Sequence, residues 1–412
     1  MNLAELKKEI QKYQYMTYTG IIDVSLASIV ATRMNLGDPV WLVLIGKSSG
    51  GKSQILRPLS LTDNKFIHRI DDVTENTFLS GMQSKGENNS LLLRIGKRGL
   101  IILSDLTVLF SKSSEARATI LSQFRMIYDG EMTKFSGNSS KPIRWPEEGK
   151  GHLGVIAGST PSIYAHFEEV ADMGERFIYY RMKEVDPRVA TELALNRTIF
   201  GQELDETLAS IYGEYIQKVV EYSIENELVP TITEKVQQRI IDISVFAEKA
   251  RTPVHMDFKG ERIMKIPTPA MPMRVALQLS TIAKSLSLIA HFETGSFELN
   301  EEQLTVLDWC AYSLANEEKR ACMRILASVD YGTSLYTSVI ADHIGLSTSV
   351  VGMYLQNLSA VGMVKRTGTG DQLAWRINDE EDWNIIRRIE GIGENVEIEH
   401  RDITFEEMDS EF

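Results

Sequence analysis

The chain has 412 residues, 43% hydrophobic and 25% charged, which suits two or three cored domains and excludes wholesale disorder. Its 44 Lys and Arg against 57 Asp and Glu leave a net charge of −13, which excludes a general nucleic-acid coat but not a local basic groove. Two cysteines, Cys310 and Cys322, exclude a disulfide framework and carry no zinc spacing; with no apolar leader and no apolar run of about 18 residues, the expectation is a cytoplasmic protein with no membrane span.

In chain order, residues 1–37 read as a helical lead-in, mostly apolar over 21–34 and stopped by Gly37-Asp38-Pro39. Residues 41–45 are a continuous apolar run, the pattern of a buried parallel strand. Further strands are expected at 66–70, 100–103, 153–157 and 176–182, and a helix at 114–128. Strands alternating with helices predict an α/β core over 38–183, a parallel sheet with helices on both faces. Within it, residues 129–151 read as a β-hairpin turning at 136–140 and carrying Lys134, Lys141 and Arg144, with Phe135 and Trp145 among them. Residues 184–316 are mainly helical, with a Pro-rich break at 266–272, and read as a lid or linker.

Residues 317–380 read as a separate module: helices at 320–333, 336–343 and 347–360, then a two-stranded wing over 363–377 turning at Gly368-Thr369-Gly370. That order is similar to a winged helix. Its third helix has no Lys or Arg; Lys365, Arg366 and Arg376 lie on the wing, so DNA contact and protein docking both stay open. Residues 381–412 form an acidic tail, with nine acids against one arginine from Glu390 onward, a composition expected to be disordered and solubilising.

Gly46-Lys47-Ser48-Ser49-Gly50-Gly51-Lys52-Ser53 fits G-x-x-x-x-G-K-S/T between a predicted strand and a predicted helix, with Gln54 next. Glycines let main-chain N–H groups turn toward phosphate oxygens, and the helix N-terminus adds its dipole. Lys52 is expected to reach the β- and γ-phosphates of ATP, and Ser53 to ligand Mg²⁺. The 100–103 strand ends at Ser104-Asp105, so one acid is present; Asp105 is either the Mg²⁺ acid, the catalytic base or simply a helix cap. Asp71, Asp72 or Glu75, just past the second strand, could supply the missing function.

With these residues the sequence resembles the AAA+ ATPases of the clade that inserts a hairpin before the fourth core strand. It is similar to minichromosome-maintenance helicases, and closer to helicase-like ATPases of phages and mobile elements. The resemblance implies that 46–53 is the Walker A loop, that 100–105 is the Walker B strand, and that 129–145 is a pre-sensor hairpin touching DNA in a central pore. It places Thr160 at the sensor-1 position, where relatives carry Asn. Arg176 falls on the arginine-finger segment, with Arg181 a second candidate, and Arg274 at sensor 2; each could instead form an intrachain salt bridge. It further implies a homo-oligomer, a hexameric ring, acting on DNA as a helicase or translocase in phage or mobile-element replication. Other replication proteins could dock on the winged helix or on the tail ending in Phe412. The alternatives are an ATP-switched loader or initiator with slow hydrolysis, and an ATPase that remodels a protein partner.

Overall fold

A computed structural model describes residues 1–14, 16, 18–80, 83–84, 87–88, 90–135, 142–166, 176–184, 186–197, 201–257, 262–368, 373–381 and 383–392. The hairpin turn with Lys141, most of the wing turn and the acidic end lie outside the described residues, with the expectations attached to them.

Two helices open the chain, α1 (Leu3–Gln11) and α2 (Gly20–Met34). The apolar run becomes β1 (Trp41–Ile45), buried throughout, and leads through the glycine loop into α3 (Lys52–Leu61). Next come β2 (Ile67–Ile70), the short pair β3 (Gln83–Ser84) and β4 (Glu87–Asn88), helix α4 (Leu91–Ile95), β5 (Arg98–Leu103) and α5 (Ser114–Tyr128). The hairpin arms are β6 (Met132–Lys134) and β7 (Ile143–Trp145), followed by β8 (His152–Ser159) and β9 (Ile178–Arg181). Five strands form one parallel sheet in the order β2-β5-β8-β1-β9. The chain is thus α/β, a parallel sheet flanked by helices, as the apolar runs require.

Register brings the strand ends level: Ile70 pairs with Leu103, Leu103 with Ala157, and Ile45 with Ser159. After β1 the chain leaves toward β2 at one edge; after β8 it passes β1 to reach β9 at the other. The carboxyl ends of β1 and β8 therefore form a switch point, where open α/β sheets leave a crevice. On one face α2 is buried from Ile21 to Thr32. It lies so close to β8 that a Cβ on Gly154 would stand 2.3 Å from Thr32 Oγ1. On the other, Trp41 packs edge-on to Phe124 and Tyr128 of α5, with ring centroids at 5.5 and 5.3 Å.

The described residues divide into two compact units, Met1–Glu248 with Met271–Leu314, and Lys249–Ala270 with residues from Ala315 onward. The 184–316 region is therefore not a body of its own. Its helices Gly201–Glu225, Met273–Thr294 and Glu301–Tyr312 share the unit that holds the sheet. Helix Met273–Thr294 is long and apolar enough to cross a membrane, and 67% of its most apolar window is buried inside the protein.

The second unit contains the expected three helices, Glu317–Ala327, Thr337–Ile344 and Thr348–Ala360, then the antiparallel strands β11 (Val364–Thr367) and β12 (Ala374–Ile377). An unforeseen strand, β10 (Leu335–Tyr336), pairs with β12. The first helix is shifted toward the N-terminus because the Asn316 side chain caps it, accepting from Lys319 N. Residues 249–270 belong here because Lys319 Nζ donates to the Ala250 and Thr252 carbonyls, each at 2.9 Å. The acidic tail also starts later than expected. Helix Asn384–Glu390 buries Ile385, Ile386 and Ile389, and Arg387 donates to the carbonyls of Ala327 and Val329.

Candidate functional site

At the end of β1 the loop is pinned by main-chain bonds: Gly46 N to Ser159 O at 3.1 Å and Gly50 N to Lys47 O at 3.0 Å. Gly51 sits at φ 88°, a left-handed conformation that glycine adopts without a steric cost. Lys47, Ser48, Ser49 and Ser53 are exposed, so the first turn of α3, ten residues long, opens to solvent where an anion would meet its N–H groups. Lys52 Nζ folds back onto the carbonyls of Gly46 and Lys47, at 2.7 and 2.8 Å. Burial lowers the Lys52 ammonium below the usual lysine value, and the Asp105 carboxylate opposes that shift. Asp105, past the end of β5, is thus within electrostatic reach of Lys52, which follows β1, and β8 lies between those two strands.

Asp105 also caps the 3₁₀ turn Leu106–Ser111, accepting from Thr107 N at 2.9 Å and from Thr107 Oγ1, both on Oδ1. Asp71, Asp72 and Asp105 line one shallow cavity past the ends of β2 and β5. Ser104 Oγ and Arg69 donate to Asp71 and hold its carboxyl below the usual range. Lys112, 2.8 Å away, does the same for Asp72. Glu75 does not line this cavity; its main-chain oxygen accepts from Gln123 and Lys134. Thr160 follows β8, its hydroxyl 2.7 Å from that of Ser162. Among the described residues no group of three or more His, Cys, Asp or Glu could hold a metal.

Beside the loop lies a small, partly open pocket, lined among others by Gln14, Met16, Tyr18, Gln54, Tyr180 and Met182. Sequence reasoning missed its N-terminal wall. That wall is brought in by tertiary packing: Lys7 of α1 pairs with Asp23 and Glu302, both at 2.7 Å, and Thr19 Oγ1 donates to Glu302. Asp23 is fully buried, and burial raises its carboxyl to about 6 despite Lys7. The signal in the sequence was this one acid in an otherwise apolar helix. Lys183 Nζ stands over the Tyr18 ring, 3.5 Å from its centroid.

The arginines lie elsewhere. Arg176, 4% exposed, precedes β9 and donates from Nη2 to both Asp129 oxygens at 2.9 Å, with its guanidinium over the Tyr128 ring. The intrachain ion pair is thus what Arg176 forms, in place of the exposed finger expected. Arg274, exposed, opens helix Met273–Thr294; one turn on, Gln278 Oε1 accepts from Trp41 N. Both arginines act on Tyr128, at the amino end of β1, a strand of about 16 Å from the glycine loop at its carboxyl end. Arg181 is buried at the end of β9, its main chain held by Ser313 and Trp309.

On the hairpin, β6 and β7 pair as expected, Met132 with Trp145. Trp145 is not a surface aromatic: it is buried at the root and donates to Gly96 O at 2.7 Å. Lys134 points back, its Nζ donating to Asn76 Oδ1 and to the Glu75 and Leu79 carbonyls. Arg144 is exposed, 3.9 Å from Glu131, and Phe135 is 80% exposed. On the wing, Lys365 and Arg376 both pair with Asp379, while Arg366 is exposed.

A family model described as "FaeA-like protein" matches residues 322–379 of the second unit. Among curated proteins, none matches the chain. Among solved structures, the chain is similar to "The A form apo structure of NrS-1 C terminal region-CTR", at 10% identity and a TM-score of 0.28, over 90% of this chain and 75% of that one.

Proposed function

We propose that the chain is a DNA-dependent ATPase of the AAA+ type, working as a ring-forming helicase or translocase. The observation that carries this reading is the glycine loop at the switch point of the sheet, with Lys52 Nζ folded onto its carbonyls beside an open helix N-terminus. Lys52 would exchange the carbonyls of Gly46 and Lys47 for phosphate oxygens, and Gly50 and Gly51 would present their N–H groups to them. Ser53 and Asp105 would hold Mg²⁺, which supplies charge neutralisation at the transferred phosphoryl group. Thr160 and Ser162 would orient water.

Since Arg274 lies at the far end of the sheet, it would serve the nucleotide of a neighbouring copy, which is the reason for reading a ring. Arg176 keeps that segment in place through Asp129. Arg144, Phe135 and the hairpin turn would face DNA. The helices and strands of the second unit support a winged-helix reading. Two of its three wing cations are held by Asp379, which favours a protein partner over a DNA groove.

A second reading, an ATP-switched loader with slow hydrolysis, is favoured by one feature: Asp71, which lines the same cavity as Asp105, is bound by Arg69 and Ser104. The test is the ATPase rate with and without single-stranded and forked DNA, for wild type, Lys52→Ala, Arg274→Ala and a mixture of the two variant chains. DNA stimulation, loss in each variant and recovery in the mixture would support the translocating ring. ATP-driven assembly with slow, DNA-indifferent turnover would favour the loader, and no ATPase activity in any sample would end both readings.

A further inference from the structure

Gln14, in the wall of the pocket beside the glycine loop, carries an unexplained polar atom. Gln14 is 2% exposed and lines the pocket, and its Oε1 is buried without a hydrogen-bond partner. Its Nε2 donates to the main-chain oxygen of Gln54, two residues past Lys52. That bond fixes the orientation of the amide, because the reverse would set two oxygens against each other. The buried atom is therefore an acceptor, and a buried acceptor left unpaired is costly unless a ligand completes it.

Its surroundings suit a flat heterocycle. Tyr18 and Tyr180 supply aromatic surface, Met16 and Met182 supply adaptable apolar surface, and Gly50 and Gly51 form the side toward the phosphate loop. Lys183 over Tyr18 adds a cation at the rim.

We propose that Gln14 is the residue that selects the base: its Oε1 accepts a hydrogen bond from the 6-amino group of an adenine nucleotide. This rests on the reading of residues 46–53 as a phosphate loop and adds the base to it. Guanine in the same pose would set its 6-oxygen against Oε1, so two acceptors would meet. Purine without a 6-substituent would leave Oε1 unpaired. Because Gln14 is tied to Gln54, the base reader and the phosphate loop are joined through one hydrogen bond.

The experiment is calorimetric titration of the full chain with ADP, GDP and purine riboside diphosphate, for wild type and Gln14→Leu, with Lys52→Ala as the phosphate-loop control. Wild type should bind ADP about tenfold to a hundredfold tighter than purine riboside diphosphate, with GDP weaker still. In Gln14→Leu the ADP affinity should fall by that factor and the gap to purine riboside diphosphate should close. Equal wild-type affinity for ADP and purine riboside diphosphate overturns the proposal and leaves the phosphate loop standing. So does a gap that survives in Gln14→Leu, since another group would then read the amino position. Absence of binding by all three diphosphates overturns the base reader and the phosphate loop together, whereas binding lost only in Lys52→Ala upholds the loop separately. The ligand series on wild type decides the matter by itself if the Gln14→Leu chain does not fold.

Discussion

Arg176 donates from one nitrogen to both oxygens of Asp129, joining the start of β9 to the end of α5 at the amino edge of the sheet. One partner is buried and the other is 55% exposed, so the pair lies between a surface bridge and a buried one. Arg176→Ala would remove this ion pair and the guanidinium that covers the Tyr128 ring. The expected loss is about 2 kcal/mol, a fall of roughly 5 °C in Tm by calorimetry. Arg274→Ala, on an exposed residue, should leave Tm within about 1–2 °C of wild type while lowering turnover. Equal Tm for both variants would overturn the assignment of Arg176 as structural.

Asp105 has two duties that a single substitution separates. Asparagine keeps an oxygen to cap the turn through Thr107 but removes the charge near Lys52. Asp105→Asn should therefore keep Tm within about 2 °C and lower ATPase activity about a hundredfold or more, with nucleotide binding largely retained. Unaltered turnover in a folded Asp105→Asn chain would remove Asp105 from the chemistry.

The hairpin gives an opposite pair. Lys134 is committed to three acceptors in the 75–79 loop, so Lys134→Ala should cost about 1–3 kcal/mol and shift Tm whether or not DNA is present. Phe135→Ala removes an exposed ring, so it should leave Tm unchanged and weaken single-stranded DNA binding by about fivefold to a hundredfold. Fluorescence anisotropy at fixed salt separates the two; equal DNA affinity for Phe135→Ala and wild type would exclude that ring from the interface.

His152 is the group to follow with pH. Burial, with Arg98 across the strand pair, lowers its imidazole to about 4, so the fold favours the neutral ring. Its contribution is complete above the ordinary value near 6.5 and is lost as pH falls toward 4. Asp23 opposes it over part of that window, because its raised carboxyl takes up a proton in the fold near pH 6. His152→Gln should flatten the loss of Tm between pH 6.5 and 4 relative to wild type; identical slopes would show that the ring is not the titrating group.

Much of the sheet is legible because its strands are continuous apolar runs, and the glycine loop because its spacing between strand and helix is specific. Asp105 is legible as an acid ending such a run. The rest depends on partners far away in sequence. Nothing local marks Arg176 for Asp129, Lys134 for the 75–79 loop, or Trp145 for the carbonyl of Gly96. The helix Asn384–Glu390 is hidden by the acids before it, although Ile385, Ile386 and Ile389 have helical spacing. The pocket wall at Gln14 and Tyr18 has no motif; it exists because α1 is docked by Lys7 on a buried acid.

That docking makes α1 the support of one wall of the pocket. Lys7 works as a tether: one cation reaching a carboxylate inside α2 and a second on helix Glu301–Tyr312 keeps the base side of the pocket standing. On the proposal that Gln14 reads the base, a chain shortened to begin at α2 would keep its glycine loop and its sheet but lose its selection between nucleotides. Its defect would be indiscriminate uptake of phosphate compounds, with little change in how firmly they are held by their phosphates.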